Sequence, residues 1–332
     1  MKELKMMGLR FATLVALLLA GGAAAAAAPP QFRVAQRLPL DAGAAVESAA
    51  LDVESRDLYL ARGDKIVVVN ADTGATVATI PVGGSVNNVV VAPDLHRAFA
   101  TDGAGGRLAI IDGATHRVVR TVAVTRTPSA LTYYRPLHRV FVGDATRNSL
   151  VAVDGDSGKA LGSLTIPDGV GQLAANSYGQ VFVSSPTTNR VHYVDAAAVR
   201  DLGATEIATG RNCAGLALDL SARRFFSACA NGHIAVVDTD VGMTIFDLAG
   251  PAVPASSAAF SFAPVADWRG GAFFLGEGGL SSVRMISPSK YAAGSTTPLP
   301  SGTRAFVVDT RTKRLLAVAP SASGWEIVAL SN

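Results

Sequence analysis

The feature that most constrains this chain is an apolar run, closed by an acid or amide, that returns on a nearly fixed beat. Ile66-Val67-Val68-Val69-Asn70 is followed by Leu108-Ala109-Ile110-Ile111-Asp112 and Leu150-Val151-Ala152-Val153-Asp154. Val191-His192-Tyr193-Val194-Asp195 and Ile234-Ala235-Val236-Val237-Asp238 continue the series, at intervals of 42, 42, 41 and 43 residues. A weaker copy, Val283-Arg284-Met285-Ile286-Ser287, comes 49 residues later. A second marker keeps the same beat: Tyr59, Phe99, Phe141, Phe182, Phe226 and Phe273 each sit in a short apolar strand, with Leu316 in the last copy. Polar turns such as Asp94-Leu95-His96-Arg97 and Arg135-Pro136-Leu137-His138-Arg139 precede them.

Repeats of roughly 40–45 residues, with several short strands and Gly/Asp-rich turns, read as propeller blades. The second unit supplies the template: strand a at Val89–Ala92, b at Ala98–Thr101, c at Leu108–Ile111 and d at Val118–Val124. Helical periodicity is absent after the leader, apart from a short turn at Ala196–Arg200. Units start near residues 47, 87, 129, 171, 213, 257 and 303, and the seventh runs out after strand c at Trp325–Leu330. Arg37-Leu38-Pro39-Leu40 matches the d strand ending Thr79-Ile80-Pro81-Val82, so the N-terminal strand is expected to complete the last blade. Ring closure removes two open sheet edges. The expected fold is all-β, a seven-bladed β-propeller of four-stranded blades over residues 29–332 as one domain.

The run Val67 to Gly83 resembles the YVTN-type repeat of YncE-like propellers. The similarity covers essentially the whole chain after the leader, strongly in the first five units and weakly in the last two. The literal tetrapeptide is missing, and Leu58-Tyr59-Leu60-Ala61 and Val140-Phe141-Val142-Gly143 occupy its place. The family signature is structural, so the resemblance implies the fold and leaves the ligand open.

Lys2, Lys5 and Arg10, the apolar run from Phe11 to Ala20 and an alanine tract together read as a secretory signal peptide over residues 1–28. The apolar part is too short to span a bilayer comfortably, and no cysteine nearby suggests a lipid-anchored start. Export places the protein in the periplasm or outside the cell. Formal net charge is +3, and it falls to +1 once the leader's three bases and one acid are removed. That balance gives no reason to expect nucleic acid as a partner. No later stretch approaches a membrane span, and a monomer is expected.

Cys213 and Cys229 flank a turn near Leu220-Ser221-Ala222, symmetric about position 221. A hairpin there brings them opposite each other, in a compartment that permits a disulfide. Gly155-Asp156-Ser157-Gly158 has the pattern of a protease nucleophile loop, but the repeat aligns it with the turn Ala71-Asp72-Thr73-Gly74. Gly103-Ala104-Gly105-Gly106 and Gly276-Glu277-Gly278-Gly279 lie between strands, with no helix behind them to hold a phosphate. His96 and His138 occupy the same turn position of consecutive blades, His116 sits in a c–d turn, and His192 and His233 lie on or beside strands c, which does not suit convergence on a metal.

The most informative positions are the entries to each strand a, which in a propeller ring one mouth of the central channel. They carry Glu47-Ser48, Asn87-Asn88, Thr127-Pro128-Ser129, Gln172, Asn212, Ser256-Ser257 and Thr303-Arg304, with Arg126 and Arg211 just ahead of two of them. Glu47, Asn87, Ser129, Asn212, Arg126, Arg211 and Arg304 form the expected ligand site, with a small anion or a periplasmic protein as partner. A non-enzymatic binding or scaffold module is the first reading, with no catalytic residue, metal site or cofactor assigned. A metal-dependent lactonase-type hydrolase is the alternative, because Glu47, Asn87 and Asn212 partly match the oxygen ligands of six-bladed relatives. The repeat count and the lack of an axial aspartate weigh against it. A quinoprotein or amine-dehydrogenase-like subunit ranks third, since no CxxCH or paired-cysteine motif is present.

Overall fold

The residue that closes each apolar run caps a turn. In the computed structural model, which describes residues 32–250, 271–276, 279–287, 290–294 and 296–331, Asn70 Oδ1 accepts from the Asp72 and Thr73 N–H groups at 3.1 Å each. Asp112 accepts from the N–H and hydroxyl of Thr115 at 2.7 and 2.8 Å. Asp154 does the same with Ser157 at 2.7 and 2.6 Å. Asp195 and Asp238 accept two N–H groups each. Short side-chain acceptors that bind backbone two or three residues on are what such turns require. Four residues past each cap the chain turns left-handed, at Gly74, His116, Gly158, Val199 and Gly242.

These turns join the third and fourth strands of each blade. Strand β1 spans Arg33–Leu40. The first blade holds β2 (Val46–Leu51), β3 (Asp57–Arg62), β4 (Lys65–Asn70) and β5 (Thr76–Pro81). The second holds β6 (Val86–Ala92), β7 (Arg97–Asp102), β8 (Arg107–Asp112) and β9 (Arg117–Ala123). The third holds β10 (Ala130–Tyr134), β11 (Arg139–Asp144), β12 (Ser149–Asp154) and β13 (Ala160–Thr165). The fourth holds β14 (Leu173–Ala175), β15 (Gln180–Ser185), β16 (Arg190–Asp195) and β17 (Arg200–Glu206). The fifth holds β18 (Cys213–Asp219), β19 (Arg224–Cys229), β20 (His233–Asp238) and β21 (Met243–Ala249). The sixth shows β22 (Gly271–Gly276), β23 (Gly279–Ser287) and β24 (Lys290–Ala293), and the seventh β25 (Ala305–Asp309), β26 (Arg314–Ser321) and β27 (Gly324–Ser331).

Among the described residues every sheet is antiparallel; the first five follow chain order from the inner strand outward, the sixth shows β22-β23-β24, and the last has the order β1-β27-β26-β25. The N-terminal strand therefore closes the ring, with Leu38 opposite Ile327 and Leu40 opposite Trp325. Inner strands β2, β6, β10, β14 and β18 adjoin in sequence, and β25 returns to β2. The inner strand of the sixth blade, Ser256-Ser257, Glu277 and the leader over residues 1–28 lie outside the described residues. The chain is a seven-bladed β-propeller.

The core lies between blades rather than inside them. Seven apolar clusters fill the seven blade junctions, and each takes one member of the aromatic series: Tyr59, Phe99, Phe141, Phe182, Phe226 and Phe273, with Leu316 at the closing junction. A buried side chain of this size contributes roughly 1.5–3 kcal/mol. Arginines at the start of the second strand add polar ties between blades. Arg97 donates to the Gly155 and Asp156 carbonyls, and Arg139 to those of Ala196 and Ala197.

Outer strands are managed differently. In each of the first five blades the outer strand carries a bulge seven residues past the cap. The extra residue is Val77, Val119, Leu161, Leu202 or Ile245, and all five are exposed. A bulge interrupts the ladder of an edge strand and discourages pairing with another chain.

Candidate functional site

The mouth of the ring is built from the connections that leave an outer strand and enter the next inner strand. One position fixes these connections in five consecutive blades: the last residue of the second strand. In the first blade it is Arg62, 3% exposed, which donates to the carbonyls of Ala44 and Asp41 at 3.0 and 3.2 Å. Burial lowers its pKa, and Asp41 opposes that shift. In the second blade it is Asp102, which accepts from Gly105 N–H at 2.8 Å and Ser85 N–H at 3.4 Å. Asp144 fills the place in the third blade and is wholly buried. It accepts from the Thr125 and Thr127 hydroxyls at 2.6 and 2.8 Å, from Thr127 N–H at 3.0 Å, and from Thr146. Burial alone raises a carboxyl pKa, but these hydrogen bonds outweigh it and hold Asp144 well below the usual range.

The fourth blade uses Ser185, whose hydroxyl donates to Gly169 O at 2.6 Å. In the fifth the position is Cys229, opposite Cys213 in the strand register and joined to it by a disulfide. Asn231 adds a second tie there, donating to Thr209 O at 2.9 Å and accepting from Arg211 N–H at 3.1 Å.

On this frame the residues singled out in the sequence share one end of the ring, but in separate sectors. Glu47 is half-buried and is the extra residue of a bulge in β2. Asn87 and Asn88 sit at an equivalent bulge in β6. Asn87 accepts from the Ser85 hydroxyl at 3.1 Å, and Ser48 donates to Asn88 Oδ1 at 3.1 Å across the blade junction. Ser129 is half-buried and held by its N–H to Gly143 O at 2.9 Å. Gln172 reaches the next blade, accepting from Leu216 N–H at 3.0 Å. Asn212 is exposed and left-handed, with φ 48°. Arg126, Arg211 and Arg304 are all exposed. None of the three forms an ion pair among the described residues, where the paired arginines are 37, 56, 135, 190, 223 and 224.

The acids of this end are mostly engaged inward. Asp102 and Asp144 serve the connections, and Asp168 bonds His192 at 2.9 Å and Arg190 at 3.3 Å. Glu47 and Asp64 are left without a basic partner among the described residues. Four histidines pair with aspartates, each in a different blade. His116 meets Asp57 at 3.0 Å, His138 meets Asp156 at 2.9 Å, His233 meets Asp247 at 2.9 Å, and His192 also meets Asp201 at 2.9 Å. Among the described residues no three His, Cys, Asp or Glu side chains converge on a metal position. No described helix is long and apolar enough to cross a membrane.

No family model matches the chain, and no curated protein does. Solved structures match in architecture. A structure of U3-55K superposes with TM-score 0.73 at 12% identity, covering 91% of this chain and 99% of that one. The WD40 repeats of RRP9 superpose with TM-score 0.74 at 13% identity, covering 92% and 99%. Identity this low carries the fold alone, and by fold the chain is a seven-bladed β-propeller similar to WD40-repeat proteins.

Proposed function

We propose that this protein is an exported, non-enzymatic binding or scaffold propeller of the YncE-like type. Its site is the mouth ringed by Glu47, Asn87, Ser129, Asn212, Arg126, Arg211 and Arg304, and its ligand is a small anion or an anionic face of a periplasmic protein. The observation that carries this reading is the division of charge at that end. Arg126, Arg211 and Arg304 are exposed and unpaired among the described residues, while Asp102, Asp144 and Asp168 are engaged inward. Guanidinium forks match carboxylate and phosphate oxygens and bind them bidentately. The fixed connections supply preorganisation, which lowers the ordering cost of binding.

Glu47, Asn87 and Asn212 belong to the first, second and fifth blades, and no observation favours the lactonase-type alternative. A thermal-shift screen of the mature protein against metals, lactones, cell-wall fragments and anionic metabolites tests the choice. Anionic compounds should raise the melting temperature and lactones should not be turned over. Stabilisation by a divalent metal together with lactone hydrolysis would replace the binding reading with the enzymatic one.

A further inference from the structure

The connection that carries Arg126 is bracketed by two turns, and each turn leads into another arginine. On one side Val124 N–H donates to Gly106 O at 3.1 Å. Gly106 approaches so closely that a Cβ there would lie 2.6 Å from Thr125 O and 3.6 Å from Arg126 Cα. The next residue is Arg107. On the other side the Thr127 and Thr146 hydroxyl oxygens lie 2.5 Å apart over Asp144. The next residue there is Arg147. With 3.8 Å between consecutive Cα atoms, the Cα of Arg107 lies within about 9 Å of that of Arg126 and the Cα of Arg147 within about 15 Å of it, so Arg126 stands between the other two. All three are exposed, and none forms an ion pair among the described residues.

The nearby acids do not neutralise them. Asp102 and Asp144 are buried and bound to backbone N–H groups and hydroxyls. The Thr125, Thr127 and Thr146 hydroxyl protons go to Asp144, so recognition rests on the guanidinium groups. One carboxylate occupies one fork, whereas a phosphate monoester or diphosphate offers two or more charges and several oxygens to three forks. We propose that the junction of the second and third blades is a phosphate subsite, with Arg107, Arg126 and Arg147 holding the phosphate monoester or diphosphate group of a small soluble ligand. This rests on the mouth reading above and assigns its anionic group to one sector, through two arginines outside the set singled out in the sequence.

Calorimetric titration of the mature protein with inorganic pyrophosphate and with succinate, at fixed salt, tests it. Pyrophosphate should bind more tightly than succinate. R107A/R147A should weaken pyrophosphate binding at least tenfold with an unchanged melting temperature, and R211A/R304A should change it less than twofold. Loss in R211A/R304A alone, equal loss in both pairs, or a preference for succinate overturns the subsite and leaves the mouth reading in place. A wild-type protein that binds neither anion overturns the subsite.

Discussion

The Arg56 guanidinium lies 2.6 Å from the Asp309 carboxylate, 253 residues further along the chain. It also grips Asp72 through two N–H groups at 2.9 and 2.8 Å, so one side chain ties the first blade to the last. Burial works to raise the Asp309 pKa, but the bonds from Arg56 and Thr312 prevail and hold it below the usual range. Removing one partner of a buried pair leaves the other charge without compensation. R56G should lower stability by about 3 kcal/mol, the glycine keeping the left-handed turn at φ 68°, and D309N should cost less, because Asp72 still pairs with Arg56. The double variant should lose less than the sum in denaturant titrations. Additive losses would show that the pair does not act as a unit.

Gly74 tests the same closure from another side. Its φ is 74°, and a Cβ there would lie 2.9 Å from Leu38 Cβ and 3.2 Å from Pro39 O, both on β1. At the equivalent Gly242 the nearest atoms are the side-chain oxygens of Thr205 and Tyr193, at 3.1 and 3.2 Å. Backbone in a closing strand yields less than the tips of side chains. G74A should therefore cost about 2–3 kcal/mol, against about 1 kcal/mol for G242A. Equal costs in thermal melts would contradict the tight seating of β1.

Cys213 and Cys229 are 16 residues apart and their sulfurs are at bonding distance. Protein recovered from an oxidising compartment should carry this single intramolecular bridge, and its reduction should cost about 3 kcal/mol in the chain-entropy model. Mass spectrometry that finds two free thiols would contradict the pairing.

Acid should unfold the propeller through its turn caps. The Thr115 hydroxyl holds Asp112 below the ordinary carboxylate range, the Ser157 hydroxyl does so for Asp154, and the Ala198 N–H for Asp195. A depressed folded pKa means that the folded state binds fewer protons than the unfolded chain. This stability is fully present above the unfolded carboxylate pKa of about 4 and is lost as pH falls through the folded values. Melting temperature should show no loss from these groups between roughly pH 7 and pH 5, and should fall steeply below about pH 4. A melting temperature at pH 3 equal to that at pH 7 would rule out this contribution.

The blade count is legible in the sequence because the turn imposes residue chemistry. Asn70, Asp112, Asp154, Asp195 and Asp238 must be short side-chain acceptors, so the beat survives divergence around them. The aromatic series is legible because every blade junction needs one large apolar filler. The anchors of the mouth are hidden for the opposite reason. Arg62, Asp102, Asp144, Ser185 and Cys229 occupy one repeat position, but a guanidinium, a carboxylate, a hydroxyl and a disulfide each secure the connection. No residue type marks the position; only its place at the end of the second strand does. The fold turns Asp102 and Asp144 inward, where they hold the connections instead of opposing the mouth arginines. The contact of His116 with Asp57 is hidden as well, since it joins blades 59 residues apart.

The central claim is that the mouth recognises an anion through arginines that lack acidic partners. The direct measurement is the affinity of the best anionic compound from the screen for the R126A/R211A/R304A variant, by calorimetry beside the wild type. Hydrogen bonds to charged groups contribute about 1.5–3 kcal/mol each, so even one lost contact weakens binding about tenfold or more. The account predicts a loss of that size or larger with the wild-type melting temperature retained, because all three side chains are exposed. Unchanged affinity in a fully folded triple variant would contradict it and remove the mouth as the site.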